Sequence, residues 1–130
     1  VKREDMTERA PVSLCLIVRD EPLLEQCLNS IKNYVAEIVI VDTGSTDNTP
    51  EIAKKYADNF VIYTDCNDPK TGLIENFSDA RQKSFDLASQ PWVLWADADD
   101  IIVNGENLLK LTQTYLPENK DKSVSLMFPY

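Results

Sequence analysis

Short apolar runs separated by helical patterns constrain this 130-residue chain more than any other feature. Residues 12–18 (VSLCLIV), 38–41 (IVIV), 60–63 and 92–96 (WVLWA) are of strand length and apolar at nearly every position. A strand with one wet face alternates; runs without alternation are buried on both faces, as in a parallel sheet beneath helices. Between them lie helical spacings. After Pro22, the positions Leu24, Cys27, Leu28, Ile31 and Val35 fall on one helix face. Thr49-Pro50-Glu51 opens a second helix with a capping residue, a first-turn proline and an acid, and Ile52, Ala53, Tyr56 and Ala57 form its inner side. Phe77, Ala80, Ser84 and Ala88 mark a third helix, residues 106–115 a fourth, and residues 123–130 a last strand. Strand–helix alternation of this kind predicts the α/β class.

Composition narrows the functions. At 43% hydrophobic and 27% charged residues the chain is an ordinary globular one. No run approaches the roughly 20 apolar residues of a membrane span. The start, Val1 to Asp5, is polar, lacks the apolar core of a secretory signal and has no Met, so the chain reads as an excised piece. Residues 1–11 are expected to be a polar extension and 12–130 the domain. Twenty-two acidic against 13 basic residues give a net charge of −9, which repels nucleic acid and anionic membrane alike. The absence of His removes the Ser-His-Asp triad, the imidazole base and His metal sites. Cys15, Cys27 and Cys66 have no CxxC spacing and read as reduced and buried, the pattern of a cytoplasmic protein.

The acids cluster where such sheets bind ligands, beyond the carboxyl ends of the strands. Val41 runs into Asp42, Ala96 into Asp97, and the first strand into Arg19-Asp20-Glu21. Asp42 alone carries two readings, because an Asp after a strand is equally at home as the cap of the next helix. Asp97-Ala98-Asp99-Asp100 is harder to dismiss. Two like charges about 4 Å apart cost roughly 4 kcal/mol at an effective dielectric near 20. A divalent cation would relieve that, and hard oxygen donors two residues apart suit Mg²⁺ or Mn²⁺ rather than zinc. The calcium-loop pattern fails, because Ile101 and Ile102 stand where it needs a ligand and Gly. Arg81, near the start of the third helix, is placed to meet phosphates at this rim, whereas Lys83 reads as a solvated surface charge. The long loop 64–76 is of functional rather than merely connecting length.

Four blocks in order, residues 14–21 (LCLIVRDE), 37–49 (EIVIVDTGSTDNT), 77–81 (FSDAR) and 92–100 (WVLWADADD), resemble family 2 glycosyltransferases. The resemblance implies a GT-A fold: a Rossmann-like three-layer sandwich on a mostly parallel sheet, cut short here after the fifth strand. It implies a nucleotide-sugar donor, a uridine diphosphate sugar first, and transfer to an acceptor with inversion. By motif, Asp42 would contact the base or ribose and Arg81 the diphosphate. Asp97 would lie near the ribose and share metal binding with Asp99, the main ligand of Mn²⁺ or Mg²⁺. Val18, Arg19, Glu21, Gly44 and Ala98 would border the donor. Thr43 stands where many members have a second Asp, and Asp20 where Asn is commoner. The catalytic base and acceptor site are expected beyond Tyr130. A haloacid-dehalogenase-like phosphatase would want its nucleophile on the first strand and a Thr where Ile101 stands, which ranks it below two other readings that stay open. One is a receiver-like, phosphate-binding signalling domain, which wants its phosphoacceptor after the third strand, where Tyr63-Thr64 stand. The other is a non-catalytic interaction domain.

Overall fold

The computed structural model describes residues 9–99 and 124–126. In chain order these form β1 (Ala10–Val18), α1 (Leu24–Ile31), β2 (Val35–Asp42), α2 (Thr49–Tyr56), β3 (Asn59–Ile62), α3 (Phe77–Leu87), β4 (Trp92–Trp95) and β5 (Val124–Leu126). The expected helix at 106–115 lies outside the described residues, as does Asp100.

The strands form a five-stranded sheet in the order β3-β2-β1-β4-β5, and every neighbouring pair is parallel. Pleating sends Val12, Leu14, Leu16 and Val18 of β1 to one face, where they pack with Ile38 and Ile40 of β2 and Trp92 and Leu94 of β4. Leu24, Cys27, Leu28 and Ile31 of α1 and Ala53 of α2 cover that face. Cys15, Val39 and Val93 point the other way, against Phe85, Leu87 and Ala88 at the end of α3. Three layers result. Each buried Leu or Ile of α1 contributes on the order of 2 kcal/mol from the area it removes from water.

Two boundaries differ from those read in the sequence. Val35 completes the α1 spacing, yet it sits in β2 opposite Ala10. The helix has already stopped: the Tyr34 amide donates to the Ile31 carbonyl at 2.9 Å, and the Tyr34 carbonyl accepts from Ala10 at 2.9 Å. A β-branched residue one turn past Ile31 suits either element, and the ladder wins. At the front, β1 begins at Ala10, inside the stretch expected to be an extension.

At the amino edge of the sheet, Glu37 is nearly fully buried. Its carboxylate accepts from Ser13 Oγ at 2.6 Å, Ser89 N at 2.8 Å, Ser89 Oγ at 2.9 Å and Asn59 Nδ2 at 3.2 Å. One side chain thus joins β1, β2, β3 and the turn into β4, at the edge opposite the acidic rim. Removing it strands the buried Ser13 hydroxyl, at a cost of about 1–3 kcal/mol, while the exposed Ser89 and half-buried Asn59 can turn to water. Glu37→Ala is therefore expected to lower unfolding stability by roughly 2 kcal/mol, measured by urea denaturation; a loss below about 0.5 kcal/mol would contradict this hub.

Candidate functional site

Topology chooses the site. β1 leads through α1 to β2 and then α2 to β3 on one side, whereas α3 returns the chain to β4 on the other side of β1. Successive crossovers diverge between β1 and β4, and at such a switch point the loops part to leave a crevice. A cleft of about 310 Å³ lies there, lined by Ile17, Val18, Arg19, Glu21, Thr43, Ile74, Phe77, Asp97, Ala98 and Asp99. Its floor is the end of β1. Its acidic wall is the turn after β4, where Asp97 and Asp99 are exposed and Ala98 is buried between them. The Cys27 thiol of α1 donates a long 3.8 Å bond to the Asp97 carbonyl and helps seat that turn.

Six of the residues singled out by motif, Val18, Arg19, Glu21, Asp97, Ala98 and Asp99, line this cleft together. Asp42, Gly44 and Arg81 are not among its lining residues. Asp42 is buried, and its Oδ1 accepts from the amides of Gly44 and Ser45 at 2.7 Å each. Oδ1 thus serves the loop and not the start of α2, where Asn48 is the N-cap, so the helix-cap reading is not met; the other oxygen, Oδ2, is buried without a hydrogen-bond partner. Gly44 turns the chain at φ +117°, a conformation that costs an L-residue about 1–3 kcal/mol. Thr43 is fully buried, with its amide on the Val18 carbonyl at 3.0 Å. Arg81 lays its guanidinium over the Trp95 ring, 4.1 Å from the centroid, with Phe77 on another side at 5.6 Å.

Asp20 turns away from the cleft to hold a loop. At φ +46° it occupies the left-handed region that Asn and Asp tolerate best among residues with a Cβ. Its Oδ1 accepts from Thr46 N at 2.6 Å and Asp47 N at 3.1 Å, while its own amide donates to Ser45 Oγ at 2.9 Å. The amides of Thr46 and then Asp47 hold its carboxyl below the ordinary 3.8.

Motif reasoning passed over Ile17, Ile74 and Phe77 in the lining, and Trp95 beneath Arg81. Ile74 belongs to a small hairpin in the 64–76 loop, bridged at Asn67 and Ile74. Loop length was the sole sequence signal for it.

The chemistry available is that of hard anions. Glu21, Asp97 and Asp99 supply carboxylates, and among the described residues no three His, Cys, Asp or Glu side chains come together to hold a metal ion by themselves. Two carboxylates on an open wall, Asp97 and Asp99, are the donor type a Mg²⁺- or Mn²⁺-type ion would take, provided a ligand supplied further oxygens. The three cysteines are buried thiols outside any disulfide, and burial pushes Cys15 up to about 12, out of the nucleophilic range.

A parallel α/β sheet with an acidic cleft at its switch point defines a ligand-binding, doubly wound class. The family follows from comparison. The chain matches the family model for Glycosyl transferase family 2 over residues 13–125, and it belongs to that family as a glycosyltransferase domain. It is 43% identical over 95 residues to a TPR repeat-containing protein of Synechococcus elongatus, covering 72% of this chain and 22% of that one. It is 33% identical to the lipopolysaccharide core biosynthesis glycosyltransferase LpsC of Rhizobium meliloti, covering 87% and 38%. Among solved structures it resembles glucosyl-3-phosphoglycerate synthase from Mycobacterium tuberculosis in complex with Mn²⁺ and UDP-glucose. That match has a TM-score of 0.53 and 25% identity, covering 70% of this chain and 33% of that one. The chain thus spans less than two-fifths of these relatives. Family membership sets the receiver reading aside, and the burial of Asp42 fits that outcome. No described helix is long and apolar enough to cross a membrane.

The lowered Asp20 carboxyl gives a pH dependence of definite sign. Its bonds are complete above 3.8 and are lost as pH falls through the lowered folded value. The Thr46 and Asp47 amide resonances should hold steady from pH 7 to 4 and move together below it. Asp20→Asn should keep the loop and abolish that titration, whereas Asp20→Ala should release the loop. Movement of both amides above pH 5 would argue against the assignment.

Proposed function

We propose that this chain is the donor-binding part of a glycosyltransferase: it takes a uridine diphosphate sugar through a divalent cation and offers the sugar to an acceptor. The observation that carries the reading is the pair Asp97 and Asp99, presented with Glu21 in a cleft at the sheet's switch point. Support comes also from the solved relative with UDP-glucose and Mn²⁺ in its complex. Asp99, assisted by Asp97, would hold the ion. Such an ion, when bound, neutralises charge growing on a departing diphosphate. Arg81, held against Trp95, would add a guanidinium on the α3 side, and Val18, Ala98 and Gly44 would give the ligand close backbone approach.

Asp42 is assigned the nucleobase. Its Oδ2 is a buried acceptor with no partner, and such an atom is costly unless something donates to it. A uracil N–H is a donor of the right kind. Thr43, next in sequence and itself part of the cleft lining, adds bulk without a second charge.

Two experiments test this. Calorimetric titration should detect UDP binding with Mn²⁺ or Mg²⁺ and lose it in EDTA. Asp99→Asn should weaken metal-dependent binding by at least about tenfold while leaving the circular dichroism spectrum unchanged. Equal affinity with and without metal would refute the cation's part. Asp42→Asn keeps the oxygen that serves Gly44 and Ser45 but turns the other atom into a donor. UDP should then bind more weakly, and CDP, whose ring nitrogen accepts, should gain on it; an unchanged ratio would remove Asp42 from the base site.

A further inference from the structure

The hairpin that supplies Ile74 to the cleft is weakly built. Asn67 and Ile74 form an isolated antiparallel bridge. The Asp68 amide donates to the Leu73 carbonyl and the Gly72 amide to the Asp68 carbonyl, each at 2.8 Å. Lys70 N donates to Asp68 Oδ1 at 2.7 Å. Its tip is wet, with Leu73 62% exposed. A ribbon this short does not hold its own position in water.

Two side chains tie it to the sheet. Asn67 Nδ2 donates to the Thr43 carbonyl at 2.8 Å, and Arg19 Nη1 donates to the Gly72 carbonyl. The second tether is the more telling. Arg19 stands at the end of β1, on the cleft floor, and is the one basic side chain among the described lining residues. Gly72 turns the hairpin at φ +73°, with Arg19 Nη2 within 3.9 Å of where a Cβ would stand. A guanidinium expected to border the donor is thus already engaged, in a charge-assisted bond to backbone.

We propose that Arg19 is a positioning residue: it pins Gly72 so that Ile74 stands as a wall of the cleft, and it acts on donor binding through that wall rather than by touching the ligand. This rests on the donor reading above and deepens it.

The test has a ligand-free arm and a binding arm, both on the 130-residue chain. Without ligand, Arg19→Ala should speed amide exchange at Asp68 and Gly72 by roughly tenfold and leave Leu16, in the β1 ladder, unchanged. Arg19→Lys retains one donor for the single carbonyl and should restore protection. With Mn²⁺ present, Arg19→Ala and Ile74→Ala should each weaken UDP binding several-fold, and the double variant no more than the stronger single one. Unchanged exchange in Arg19→Ala overturns the proposal. So does an additive double variant, which would mean that Arg19 meets the ligand itself, and so does a loosened hairpin with undiminished affinity. If the unaltered chain binds no UDP, the donor reading fails, and the exchange arm alone still decides whether Arg19 pins the hairpin.

Discussion

Everything at the acidic rim depends on the handed crossover of a parallel sheet. A β-α-β unit returns with one hand, so a chain that builds β1, β2 and β3 outward in one direction stacks α1 and α2 on one face. To add β4 on the other side of β1, it must place α3 on the opposite face, as the packing of Phe85 and Leu87 against Cys15, Val39 and Val93 records. The loops leaving β1 and β4 then diverge. Neither can fill the space between, and a cleft follows from topology before any side chain is chosen.

Side chains decide what the cleft is for, and the rim acids divide by what their oxygens meet. Asp20 and Asp42 accept from the 44–47 loop, whose amides at Gly44, Ser45, Thr46 and Asp47 have few other uses. Glu21, Asp97 and Asp99 line the open space. Identical chemistry thus does two jobs within one rim: Asp20 and Asp42 order a loop through its backbone donors, whereas Asp97 and Asp99, exposed on the cleft wall, are open to a ligand from outside the chain. On a chain of net charge −9, a diphosphate would otherwise be repelled, which is why the proposed reading needs a cation between the two.

The sheet and its layers were legible because burial on both faces leaves an unmistakable apolar run, and β1, β2 and β4 lie where 12–18, 38–41 and 92–96 read as strands. Val35 was misread because a β-branched residue one turn beyond a helix satisfies both periods. Glu37 escaped notice for a different reason. A buried carboxylate is recognised by the four donors around it, and those come from Ser13, Asn59 and Ser89, far apart in sequence. The same limit applied at the site. Its chain positions were visible in Asp97-Ala98-Asp99 and Arg19-Asp20-Glu21, but not which way each side chain turns. Asp42 turning inward, Asp20 clamping a loop and Arg81 lying on Trp95 are tertiary choices.

Those choices share a logic. A loop at a switch point cannot be held by a ladder, since its function requires it to stand clear of the sheet, so it must be held by side chains reaching for backbone. Asp20 and Asp42 do this for 44–47, Thr43 for the end of β1, and Arg19 and Asn67 for the hairpin. Each such bond contributes only about 1 kcal/mol net, little beside the core. Their loss would therefore leave the fold standing and spoil the shape of the cleft. Residues of this kind are easily mistaken for ligand contacts, because removing either sort weakens binding. The two are separated by looking at the loop with no ligand present.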